Sequence, residues 1–112
     1  LDEAAALVPE DVRVLRWRVQ LRQERAVQAA RVGRTAELQR AIEDSLEVLR
    51  AARVPGAAPA RMRSSVHEFA AQATGNAQHL TAAAEAREEA LRLSPYNLQD
   101  QLALAQLYER LG

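Results

Sequence analysis

Cysteine is absent from this chain, and so is lysine. Without thiols, neither a disulfide framework nor a thiolate metal site can form, and the redox compartment stays open. All fifteen cations are arginine, which a GC-rich genome would produce as readily as any physical demand, so no function is built on it. Aromatics are scarce: Trp17, Phe69, Tyr96 and Tyr108 are the whole set. No run of about 18 apolar residues occurs, so no membrane span is expected within the chain, and no basic-then-apolar leader opens it. The first residue is Leu1 rather than Met, which reads as a fragment, a processed chain or an excised domain.

Alanine and leucine carry the hydrophobicity, and together with Arg, Glu and Gln they are the good helix formers, so the balance predicts packed helices and an all-α fold. At 112 residues there is room for one domain with a modest core, which makes a deep, water-excluding active site hard to build. The formal charge sums to zero, but unevenly. Residues 1–12 carry four acids and no base, residues 13–63 carry twelve Arg against five acids, and residues 64–112 carry three Arg against six acids.

Helices are expected at about 1–8, 9–32, 35–53, 60–74, 77–93 and 95–111. Pro9 and Pro95 suit first turns, where a missing N–H costs nothing. From Pro9 onward two apolar stripes run at helical spacing: Val12, Leu15, Val19, Ala26 and Ala30 form one, and Val14, Trp17 and Leu21 the other. Two stripes predict two packing neighbours, with Trp17 in the core; as an exposed anchor it would instead be a binding hot-spot candidate. Gly33 interrupts the pattern and Thr35 is read as an N-cap, although one long bent helix would also fit, because an isolated glycine costs only ~1 kcal/mol. Leu38, Ile42, Leu46 and Leu49 then give the cleanest amphipathic helix in the chain. Two prolines and a glycine make 54–59 a loop. In the last helix, Leu98, Leu102, Ala105 and Leu111 share one side, with Leu104, Leu107 and Tyr108 beside them.

Ala83 and Ala90 sit where two helices would approach closely, Pro95 ends that unit, and Leu104, Ala105 and Tyr108 follow at set intervals. This pattern resembles the tetratricopeptide (TPR) repeat, clearest over about residues 64–112, in which helix pairs recur every 34 residues or so. Ala70 and Ala71 extend the resemblance backward, while His67, Thr74 and Arg87 stand where the family favours Trp, Tyr and Phe. Leu7–Val12 echoes Leu93–Leu98, at a separation that is not a multiple of the period. The resemblance implies a short, irregular solenoid of antiparallel helix pairs, a concave face that docks peptides or partner helices, and a Tyr108 that fills the gap between layers. A generic helical bundle is the alternative.

Among candidate constellations, Arg18, Arg22 and Arg25 share one helix face and form a candidate anion-recognising surface, since Arg pairs bidentately with carboxylate and phosphate. A solvated charged face is the plainer reading. Nucleic acid is disfavoured by the neutral overall charge and the lack of a groove-reading motif. His67 and His79 lie on either side of a turn at 74–76, and counting residues from that turn does not place them opposite each other. With no HExxH or Cys/His spacing, no metal site is expected. His67-Glu68 near Ser64 and Ser65 lacks a nucleophile elbow, so no catalytic residue and no cofactor are assigned. Paired carboxylates such as Glu43 and Glu88 are read as surface ion pairs with Arg40 and Arg92.

The function expected first is a scaffold binding a peptide or protein through Arg18, Arg22, Arg25, His67, Gln101 and Tyr108. A second reading is an accessory soluble domain of a larger protein, such as the extramembrane tail of a bacterial polysaccharide polymerase or ligase, with a membrane-anchored parent. A third is a helical module that associates with a second copy of itself.

Overall fold

A helix begins where its first unpaired N–H groups find an acceptor, and Asp11 supplies one: its Oδ1 accepts from the Arg13 N–H at 2.7 Å. In the computed structural model, which describes residues 11–112, helix α1 runs from there as Val12–Arg31. Four more follow: α2 Thr35–Arg50, α3 Ala58–Thr74, α4 Gln78–Leu93 and α5 Leu98–Leu111. No strand occurs among the described residues. The helix expected over 1–8, the start at Pro9 and most of the Leu7–Val12 echo lie outside them.

The connections follow from side-chain chemistry. Gly33 adopts φ +72°, a left-handed conformation that costs glycine little. It donates to the Ala30 carbonyl, and Arg34 N–H then reaches the Ala29 carbonyl at 2.9 Å. The chain reverses there, so α1 and α2 are separate helices. Thr35 is the first residue of α2 rather than its cap, and the capping position, Arg34, makes no side-chain cap hydrogen bond. Pro59 falls in the first turn of α3, where a proline is tolerated. Gly75 at φ +74° closes α3, and Asn76 Oδ1 accepts from the Gln78 N–H at 3.0 Å to open α4. The last helix begins three residues after Pro95, because Asn97 caps it by accepting from the Asp100 N–H at 2.9 Å.

Each helix packs chiefly on its sequence neighbours, and α1 also reaches α3. Leu15 and Val19 of α1, Leu38, Ile42 and Leu49 of α2, and Val66 and Ala70 of α3 form one core. A smaller cluster of Ala83, Ala84 and Leu107 joins α4 to α5, flanked by Leu80 and Leu104. Between α3 and α4 the contact is made by small side chains: the Ser64 hydroxyl, fully buried, donates directly to the Ala83 carbonyl at 2.9 Å. Larger residues there would hold the two backbones apart. The molecule measures 44 × 35 × 18 Å, a flattened body whose two outermost helices in packing order are α1 and α5.

One packing expectation is corrected. Trp17 is 61% exposed, because α2 and α3 pack on the side of α1 that carries Leu15, Val19, Ala26 and Ala29, and the Val14–Trp17–Leu21 stripe faces away from them. In α5, Leu107 is the fully buried hydrophobic residue, beside the equally buried Asp100, while Leu98 and Leu102 are exposed.

Candidate functional site

The outward face of α1 combines exposed apolar area with cations. Val14, Trp17 and Leu21 follow one another at i, i+3 and i+7, and all three are exposed. A groove of about 620 Å³ opens between α1 and α2 at the lower end of this row. Leu21, Ala29, Val32 and Ala41 give it apolar surface, and Arg22, Arg25 and Arg40 stand around it with Glu24 and Asp44. Arg34 and Glu37 also border it, paired with each other at 3.4 Å. Arg22 donates to the Arg18 carbonyl at 3.0 Å, which holds its guanidinium along the helix. Arg25 and Arg40 line the groove without an ion-pair partner among the described residues. Such a surface suits a ligand with apolar side chains and at least one acidic group.

Of the six residues singled out in the sequence, Arg22 and Arg25 meet in this groove, with Arg18 one turn above Arg22. The other three are elsewhere and are already engaged. Gln101 Nε2 donates to the Pro95 carbonyl at 2.9 Å, bracing the turn into α5. The Tyr108 hydroxyl donates to Glu88, tying α5 to α4, and this bond holds its proton more firmly than in a free phenol, raising the pKa. Tyr108 remains half exposed rather than filling a gap between layers, and Glu88 is engaged there and not with Arg92.

His67 does meet His79, contrary to the count of residues from the turn, which neglects how far two imidazoles reach. Their Nδ1 atoms are 3.0 Å apart and the ring centroids 5.2 Å, so the rings approach nearly nitrogen to nitrogen. One Nδ1 must donate and the other accept, which requires one proton between them. Burial, then the neighbouring His79, Arg63 and Arg50, push the His67 pKa down to about 4. No group of three ligating side chains gathers among the described residues.

A third cluster joins an aspartate to arginines on two other helices, which carboxylate spacing along one helix does not reveal. Asp100, with a fully buried side chain, accepts from Arg61 Nε at 2.8 Å, Arg61 Nη2 at 2.6 Å and Arg87 Nη1 at 2.9 Å. Arg87 also reaches Glu68 at 3.4 Å, and Arg110 pairs with the other Glu68 oxygen at 3.6 Å. The Arg61 hydrogen bonds first, then Arg87, hold the Asp100 carboxyl below the usual aspartate range. The shared carboxylate fastens α3, α4 and α5 together. The sequence did carry a signal: Arg87 interrupts the Leu80–Ala83–Ala84–Ala90 stripe, and Asp100 shares a face with Leu104 and Leu107. Nor is a serine free for nucleophilic work at His67, since Ser64 donates to Ala83 and Ser65 to the Arg61 carbonyl at 3.3 Å.

No protein-family model, curated protein or solved structure matches this chain. No helix of the described residues is long and apolar enough to cross a membrane.

Proposed function

We propose that this chain is a protein–protein interaction module, a TPR-like array of helix pairs that seats a segment of a partner on the outward face of α1 and in the groove beside α2. The observation that carries this reading is the exposure of Trp17 in line with Val14 and Leu21, with Arg22 and Arg25 one to two turns further along the same helix. Tryptophan and arginine are the side chains most enriched where binding energy concentrates, and a solvent-facing Trp in an apolar row is costly unless something covers it. The fully buried Ala83 and Ala90, at the close-approach positions of the TPR pattern, support the repeat resemblance. Gln101 and Tyr108, both engaged within the chain, are not assigned to the partner.

A photo-crosslinking residue placed at Leu21 tests the proposal in cells that make the parent protein. It should form discrete protein adducts, the same group at exposed Gln72 of α3 should not, and Arg22→Glu with Arg25→Glu should abolish them. Equal adducts at both positions, or none at Leu21, would contradict it.

A further inference from the structure

The α1 face has a counterpart at the other outermost helix. On α5, Leu98, Leu102 and Ala105 recur at i, i+4 and i+7, and Glu109 continues the same line. Leu98 is 76% and Leu102 61% exposed, with Tyr96 beside them at 92%. The row is as long as Val14–Trp17–Leu21, each covering about two helical turns.

The charges are opposite as well. Val12–Arg31 holds six Arg against Glu24 alone, and Arg25 lies on the line of Val14 and Leu21. Glu109, at the end of the α5 row, has no ion-pair partner among the described residues, while Arg110 beside it pairs with Glu68.

We infer that the outward face of α5 docks on the outward face of α1 in a second copy of this chain, so that copies associate head to tail. The inference rests on the reading of α1 as an interaction face and names its occupant. Like-with-like pairing is disfavoured: two α1 faces would set Arg22 and Arg25 against the same two arginines of the other copy, and like charges juxtaposed at an interface oppose association. An α5 face laid on α1 instead buries Leu98 and Leu102 against Val14, Trp17 and Leu21 and brings Glu109 to the arginines. It also repeats, between molecules, the neighbour-on-neighbour helix packing found within one. Such a contact joins two different surfaces, so each added copy presents a free face and growth passes beyond the dimer.

Sedimentation velocity on the 112-residue chain, from low to high micromolar, tests this. The mean mass should climb past that of a dimer, and the emission of Trp17, the chain's single tryptophan, should shift to shorter wavelength with the same midpoint. Trp17→Glu and Leu102→Glu, both at exposed positions and checked for unchanged helicity by circular dichroism, should each be monomeric. Mixed in equal amounts they should form a one-to-one dimer and nothing larger, since each supplies the face the other lacks. A wild-type chain that stays monomeric overturns the inference, as does undiminished association of Leu102→Glu or a mixture that stays monomeric. Adducts to another protein from Leu21 with no self-association would overturn this inference while leaving the interaction face intact; absence of both would overturn both.

Discussion

Arg61 grips Asp100 with two nitrogens, at 2.8 and 2.6 Å, across 39 residues of sequence. Arg87 takes the remaining approach to the same carboxylate at 2.9 Å. Removing one member of a buried pair strands the other charge, typically at a cost of about 3–5 kcal/mol. Asp100→Asn should therefore destabilise the chain by roughly 3 kcal/mol, read as a lower urea midpoint. Glu47→Ala, which removes an ion pair with Arg50 between two largely exposed side chains, should change stability by less than about 1 kcal/mol. Equal losses in the two variants would remove the network from its place in holding α3, α4 and α5.

The His67–His79 contact predicts a pH dependence of definite sign. His67 titrates near 6.5 when unfolded and at about 4 when folded, so between these values the unfolded chain binds more protons. Stability must then fall as pH drops from about 6.5 towards 4. Partial exposure of the ring screens the effect, leaving on the order of 1 kcal/mol between neutral and mildly acidic solution. Urea titrations at about pH 7 and pH 5 measure it, and His67→Gln should flatten the difference. A variant as pH-sensitive as the parent would place the response elsewhere.

Ala83 is fully buried beneath Ser64, and the two helices meet there at backbone distance. Ala83→Leu should cost about 1–3 kcal/mol by crowding the packing of α4 against Leu107 of α5 and against α3. Thermal unfolding measures it; a neutral result would mean the interface has room the small residues do not need.

At Gly33 the backbone requires φ +72°, yet a Cβ would meet nothing within 4 Å. Gly33→Ala should therefore cost only the conformational penalty, about 1 kcal/mol, with α1 and α2 still separate helices. A much larger loss in chemical denaturation would point to crowding that the structure does not contain.

Sequence periodicity and turn chemistry were enough to read an all-helical chain and the break around Pro55 and Pro59; at Gly33 they left a reversal and one long bent helix both open. They could not say which face of a helix finds a neighbour. Trp17 and Leu15 both lie on apolar stripes, and α2 chose the side where Ala26 and Ala29 allow close approach. The same limit applies to Leu98 and Leu107 on α5. Arg22 and Arg25 were legible as a pair because they share one helix, whereas the groove's Arg40 comes from α2 and joins them only on folding. Asp100 and Arg87 were visible as charges within apolar stripes, but their partner Arg61 lies on a third helix, and pairing between helices leaves no periodic trace. His67 and His79 met for a similar reason: side-chain reach is not contained in a residue count.

An interaction surface on α1 requires the row Val14, Trp17 and Leu21 to be open in the single chain and closed by what binds it. Acrylamide quenching of Trp17 emission in dilute monomer tests that directly. We predict long-wavelength emission and efficient quenching, both reduced when the face is occupied. Short-wavelength emission shielded from acrylamide in the dilute monomer would show that the chain itself covers Trp17, and would contradict the interaction surface.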